Sequence, residues 1–104
     1  MSNETIRTIQ EWAIDTFGVP EPFVAYAKLC EEVGELSVAL RREPSENIAE
    51  EIADVIVCAI HIGSSGLCIQ DIQRAVDRKM SINRGRKWEV REDGTADHII
   101  GGTD

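Results

Sequence analysis

The sequence predicts an all-α domain, a four-helix bundle whose central antiparallel helix pair carries a carboxylate site. Three observations predict it. Apolar residues recur at helical spacing in four successive segments, separated by Gly- and Pro-containing breaks. No segment alternates with period two over a useful length, so no sheet is expected. Two acidic half-motifs, Glu31-Glu32-Val33-Gly34-Glu35 and Glu50-Glu51-Ile52-Ala53-Asp54, lie inside two of those segments and loosely mirror each other, as antiparallel neighbours would.

The first helix is expected from about Asn3 to Phe17, with Ile6, Ile9, Trp12, Ala13 and Phe17 on one face and Ser2 or Asn3 as N-cap. Gly18-Val19-Pro20 ends it. The second begins near Glu21-Pro22, since proline is tolerated in the first turn. Its apolar stripe is Phe23, Tyr26, Ala27, Cys30, Val33, Leu36 and Leu40, and Arg41 and Arg42 suit the C-terminal end of the helix dipole. Gly34, in mid-helix, is a position where another helix or a ligand could approach the backbone. Ser45 is the expected N-cap of a third helix, about Glu46 to Ile62. Its half from Ile52 to Ile62 is apolar on nearly all sides and is expected to be the most buried element. Gly63-Ser64-Ser65-Gly66 reads as a turn. The fourth helix runs from about Gln70 to Asn83, with Ile72, Ala75, Val76, Lys79, Met80 and Asn83 along one stripe and Gly85 as its stop. One domain therefore fills residues 1–104, with a helical core at about 3–88 and a polar tail at 89–104 in which Asp93-Gly94-Thr95 reads as a turn.

At 104 residues with 42% hydrophobic content but only two Trp, one Tyr and two Phe, the core must be built from Ile, Val, Leu and Ala. A chain this short buries only about two-thirds of its unfolded surface, which favours a homodimer or homotetramer. The formal net charge of −8 argues against non-specific binding to nucleic acid or an anionic membrane. No apolar run approaches the ~18 residues of a membrane span. The N-terminus lacks the pattern of a signal peptide, and Cys30, Cys58 and Cys68 form no CxxC. Buried free thiols and a cytoplasmic location are the expectation.

The acidic clusters carry the chemistry. Glu32 and Glu35 share a helix face, as do Glu51 and Asp54. Two carboxylates 4 Å apart repel by about 4 kcal/mol at an effective dielectric of 20, so a cation belongs between them. Solvated acidic faces are common, but both clusters abut apolar core positions and neither has a Lys or Arg four residues downstream. The only histidines are His61 and His98, and neither follows a Glu by three. That removes the Glu-x-x-His pattern of di-iron bundles and leaves an all-oxygen set suited to Mg²⁺ or Mn²⁺. His61 is expected in the core or an interface.

The densest positive stretch is Lys79, Asn83, Arg84, Arg86, Lys87 and Trp88. Lys79, Asn83 and Arg86 fall near one face and suit phosphate. The ordered set, Glu-Glu-x-x-Glu at 31–35, Glu-x-x-Asp at 51–54, then Lys-x-x-x-Asn-x-x-Arg-x-Trp at 79–88, resembles the MazG family of all-α nucleoside triphosphate pyrophosphohydrolases, in its small single-domain bacterial and phage form. The resemblance covers about Ile6 to Trp88. It implies Mg²⁺, with Mn²⁺ able to substitute, held by Glu32, Glu35, Glu51 and Asp54. It implies that Glu31 helps bind metal or orients and deprotonates the attacking water, so that Glu31 and Glu35 stand closest to catalysis. Lys79, Asn83 and Arg86 would hold the triphosphate, with a further contact from Lys28, and Trp12 or another apolar residue of the first helix would pack on the base. The implied reaction converts a (deoxy)nucleoside triphosphate to monophosphate and pyrophosphate, in nucleotide-pool sanitation or control. The alternatives are a related enzyme acting on dUTP or phosphoribosyl-ATP, and a non-catalytic acidic helical interaction module.

Overall fold

A computed structural model describes residues 3–42, 47–65 and 70–100. Among them are four helices, α1 (Ile6–Phe17), α2 (Pro22–Arg41), α3 (Asn47–Ile62) and α4 (Ile72–Gly85), followed by two short strands, β1 (Trp88–Val90) and β2 (Ala96–His98). The chain divides into two compact units, 1–72 and 73–104.

In the first unit α2 packs most extensively on α3, and α1 also packs on α3. The start of α1 lies later than the spacing predicts. Thr5, in extended conformation, is the N-cap: its hydroxyl accepts from the Thr8 amide at 3.1 Å, and Thr8 Oγ1 accepts from the Thr5 amide at 2.8 Å. This reciprocal box satisfies two donors, which Ser2 or Asn3 as cap would not do for a helix beginning at Ile6. Gly18 closes α1 with φ 75°, a left-handed value that a side chain would strain, and its amide donates to Ile14 O at 2.8 Å. Glu21 caps α2 by accepting from the amides of Phe23 and Val24, with Pro22 as first helical residue. The expected cap of α3, Ser45, lies outside the described residues, as do Gly66 and Cys68.

Among the described residues the buried apolar side chains are Ala13, Ala25 and Ile60. In the half of α3 expected to be most buried, Ile60 is buried and Val55, Val57, Cys58, His61 and Ile62 are half-buried, while Ile52 and Ile56 are 45% and 49% exposed. Only one side of α3 is met by α1 and α2, and an all-round apolar helix needs cover on the other. Likewise Phe23, Tyr26, Val33 and Leu40 of the α2 stripe are exposed, and Cys30 is an exposed thiol. Among the described residues a Cβ at Gly34 would meet nothing within 4 Å, so none of them uses the close approach that position allows.

The α3 exit is fastened by a buried side chain. Gln10 Nε2 donates to Gln70 O at 2.5 Å and to Gly63 O at 3.4 Å, and Gln10 Oε1 accepts from the Ile72 amide at 3.4 Å. A side chain at Gly63 would overlap Ile72.

In the second unit no residue of α4 is buried, and Val76 and Met80 of its predicted stripe are 38% and 40% exposed. The tail holds a sheet that the pattern did not predict. β1 and β2 pair antiparallel, with Trp88 opposite His98, Glu89 opposite Asp97 and Val90 opposite Ala96. Three-residue strands are too short to display alternation. The turn between them is built where a turn was expected: Asp93 Oδ1 accepts from the Thr95 amide and hydroxyl, and Gly94 has φ 90°. Arg91 and Asp97 add a 3.1 Å ion pair.

Candidate metal centre

α2 and α3 run side by side, and each contributes carboxylates to their shared surface. Glu32 and Glu35 are one turn apart on α2, and Glu51 comes from the first half of α3. One oxygen from each lies within 4.8 Å of the others. Glu32 is buried, Glu51 half-buried and Glu35 exposed. Asp54, one turn beyond Glu51, is exposed and lies outside this grouping. Asp is one methylene shorter than Glu, so the same face of α3 projects less far at that position.

Two buried oxygens, Glu32 Oε2 and Glu51 Oε2, have no hydrogen-bond donor. Burial without a donor is costly for an ionised oxygen. The structure shows one partial remedy. Lys28, one turn before Glu32, places Nζ 3.1 Å from Glu32 Oε1 and 3.6 Å from Glu31 Oε1. Its hydrogen bond to Glu32 holds the Glu32 carboxyl below the ordinary value, helped by a hydrogen bond with Glu35. The cost falls on Glu35, whose carboxyl is pushed up, first by its hydrogen bond with Glu32 and then by the charges of Glu32, Glu51 and Glu31. Lys28 is itself pushed up by these carboxylates. A cluster in which one carboxyl is pushed toward its protonated form by its neighbours also favours a cation in the proton's place. The donors are oxygens throughout, which fits Mg²⁺ or Mn²⁺ rather than zinc.

Two openings flank the cluster. A cleft of about 310 Å³ shares Glu35 and Glu51 with it and is lined also by Val38, Arg42 and Asn47. A cavity of about 400 Å³ lies within the first unit between α1, α2 and α3. Its walls are almost wholly apolar, including Trp12, Phe17, Val24 and Val57, and Lys28 forms part of them. Trp12 meets Phe17 edge to face at 5.4 Å, and Phe17 meets His61 at 5.2 Å. The spacing placed His61 in the core or an interface. It stands in the wall of this cavity, half-buried, with Nε2 buried and without a hydrogen bond. Cys58, one turn earlier, lines the same cavity, and burial pushes its thiol up, with the Glu32 charge adding to the effect. The sequence signal for this wall was available: Val57, Cys58 and His61 share one face of α3.

Lys79, Asn83 and Arg86 belong to the second unit. Lys79 is exposed, and Asn83 and Arg86 are half-buried. The Asn83 carbonyl accepts from Trp88 Nε1 at 2.9 Å and from the Arg86 amide at 3.3 Å, which ties the end of α4 to the start of the hairpin. Arg86 Nε is buried without an acceptor.

Residues 23–87 match the MazG nucleotide pyrophosphohydrolase domain. A dATP/dGTP diphosphohydrolase of Salmonella phage PMBT28 is 37% identical over 105 aligned positions, which take in 97% of this chain and 34% of the relative. A dATP/dGTP diphosphohydrolase of cyanophage S-2L is 37% identical over 76 positions, 72% of this chain and 66% of that protein. The chain thus spans about a third of the first relative and just under two-thirds of the second. Among solved structures, a cyanophage S-2L MazG-like pyrophosphohydrolase bound to dGDP and three catalytic Mn²⁺ ions per active site superposes with a TM-score of 0.68 at 30% identity, over 97% of this chain and 98% of that one.

Proposed function

The chain belongs to the MazG nucleotide pyrophosphohydrolase family, and from that premise we propose that it hydrolyses a purine deoxynucleoside triphosphate to the monophosphate and pyrophosphate with Mg²⁺ or Mn²⁺. The observation that carries this reading is the carboxylate cluster set beside an apolar cavity, with Lys28 shared by both. A ligand with one flat apolar end and one polyanionic end fits that pairing. The activity printed for both phage relatives and the dGDP and Mn²⁺ of the structural neighbour support the substrate class and the metal.

Glu32, Glu35 and Glu51 would hold the cation, with Asp54 completing the set from the next turn of α3. When bound, the cation neutralises phosphate charge and activates water. Glu31 is exposed and steadied by Lys28 at 3.6 Å, and it accepts the proton of the attacking water. A new bond forms from the water oxygen to the α-phosphorus, the bridge to the β-phosphate breaks, and pyrophosphate leaves. Lys28 keeps Glu32 ionised and contributes positive charge at the cavity mouth. Lys79, Asn83 and Arg86 would take the phosphates. Trp12 and Phe17 pack on the base. The chain works as a homodimer or homotetramer in the cytoplasm, where it acts on the nucleotide pool.

Pyrophosphate release from a panel of ribo- and deoxynucleoside triphosphates, with Mg²⁺, with Mn²⁺ and with chelator, tests the reading. Metal-dependent pyrophosphate matched by monophosphate is expected, with dATP and dGTP foremost. Orthophosphate release, or no turnover of any triphosphate, overturns it.

A further inference from the structure

We propose that Arg42, with Asn47 and the start of α3, binds the pyrophosphate end of the substrate in the cleft beyond the carboxylates. The proposal rests on the reading of the chain as a nucleoside triphosphate pyrophosphohydrolase and adds a subsite to it. Three observations carry it. First, one seam between α2 and α3 joins the apolar cavity, the carboxylates and the cleft in that order. On α2, Lys28, Glu32, Glu35 and Arg42 follow one another at intervals of four, three and seven residues, and on α3, Asn47, Glu51 and Cys58 follow at intervals of four and seven. Such spacing keeps them on one face of each helix. Lys28 and Cys58 line the cavity, Glu32, Glu35 and Glu51 form the cluster, and Arg42 and Asn47 line the cleft of about 310 Å³ that shares Glu35 and Glu51 with it. At the helical rise, Lys28 and Arg42 each stand about 10 Å along the helix from Glu35. Second, Arg42 is available. It is exposed at the C-cap of α2 and makes no ion pair among the described residues. Third, the cleft lies at the N-terminus of α3, which begins at Asn47. Unpaired amides and the helix dipole favour an anion there.

The seam sets the direction of the substrate. In a nucleoside triphosphate the base and the pyrophosphate lie on opposite sides of the α-phosphorus. With the base in the cavity and the α-phosphorus at the carboxylates, the β- and γ-phosphates extend along the seam into the cleft. A guanidinium there can hold two phosphate oxygens at once. It also stabilises the charge that gathers on the pyrophosphate as its bridge to the α-phosphorus breaks. The sign of the cleft depends on the metal. Alone, Glu35 and Glu51 outweigh Arg42 and repel phosphate, and a divalent cation on the two carboxylates reverses that field. Arg42 therefore grips the triphosphate only once the metal is in place. A purely structural role for Arg42, complementing the dipole at the end of α2, would be shared by Arg41.

The test uses the dGTP analogue in which an NH group bridges the α- and β-phosphorus, so that it resists cleavage, and compares it with dGMP. In calorimetric titrations with Mg²⁺, Arg42→Gln is expected to bind the analogue about tenfold or more less tightly, with dGMP affinity unchanged. Arg42→Lys, which keeps the charge but loses the fork, should recover part of the loss. Arg41→Gln removes the same charge from the same helix end and should leave both affinities as they are. In chelator the unaltered protein and Arg42→Gln should bind the analogue equally weakly. Turnover read in parallel separates this subsite from the reaction it serves. If the analogue's affinity depends on Arg42 while no triphosphate is hydrolysed, the subsite stands and the assigned reaction falls. If triphosphates are hydrolysed but Arg42→Gln binds the analogue as the unaltered protein does, the subsite falls and the reaction stands. Equal losses for the analogue and dGMP, or an equal loss in Arg41→Gln, also overturn the proposal, since either marks a general effect of charge or fold.

Discussion

At the scale of single residues, Glu32 and Glu35 divide one electrostatic problem between them, and the division sets a pH dependence. The ordinary value for both is 4.5; Lys28 holds Glu32 below it, and Glu32 holds Glu35 above it. A carboxyl depressed in the folded state stabilises the fold above its unfolded value, and that contribution is lost as pH falls through the folded value. A carboxyl raised in the folded state acts in the opposite sense. Its contribution is present below the unfolded value and vanishes as pH rises through the folded one. From this pair the metal-free protein should be most stable near pH 4.5 and should weaken toward neutrality. Melting curves in chelator from about pH 3 to about pH 8 check this, and a midpoint that climbs steadily through pH 5 to 7 would refute it. Glu35→Gln should flatten the neutral limb, since its amide cannot ionise and can still donate to Glu32. The same variant should remove most of the stabilisation that Mg²⁺ confers and lower kcat by about a hundredfold or more. A variant that gains apo stability while losing activity separates a metal site from a decorative acidic face, where both quantities would stay put.

Single elements show where pattern alone suffices and where it does not. The four helices and the acids at 31–35 and 50–54 are legible because 3.6-residue periodicity speaks directly about faces. Glu32, Glu35 and Glu51 converge because α2 and α3 are neighbours, and neighbouring antiparallel helices were the simplest reading of two mirrored half-motifs. The hairpin was illegible for a different reason. Three residues per strand cannot establish a period, although Asp93-Gly94 between Val90 and Ala96 is the kind of turn a hairpin uses. Nor does spacing say which polar residue points inward, and so it missed Gln10. That side chain serves three backbone groups around the α3 exit. Gln10→Leu keeps most of the volume but removes the hydrogen bonds to the Gln70 carbonyl and from the Ile72 amide. It should cost about 1–3 kcal/mol in urea unfolding. Gly63→Ala, which drives a methyl into Ile72, should cost a similar amount by overpacking. Gly34→Ala makes the contrast: with open space at its Cβ and a helical backbone, it should add about 0.5–1 kcal/mol.

For the molecule as a whole, the balance of burial points to association. Among the described residues Ala13, Ala25 and Ile60 are the buried apolar side chains, while Phe23 is 75% exposed and Val33, Leu40, Ile52 and Ile56 are each 45% exposed or more. A net charge of −8 keeps such a chain soluble but does not hide apolar area. Ile52 and Ile56 lie one turn apart on α3, on the side opposite Asp54. A second copy packed there would cover the uncovered side of α3 and stiffen the helix that bears half the site. Sedimentation equilibrium should therefore return a multiple of 11.5 kDa. The melting midpoint should rise with protein concentration, because folding and association are then one equilibrium, worth about 1.4 kcal/mol per tenfold change for a dimer. Ile52→Glu with Ile56→Glu should give the 11.5 kDa species, abolish the concentration dependence and weaken metal-dependent turnover. A protein that sediments as the single chain at every concentration, with a midpoint independent of concentration, would show instead that α3 tolerates water along its apolar edge. The site on α2 and α3 would then be complete within one copy.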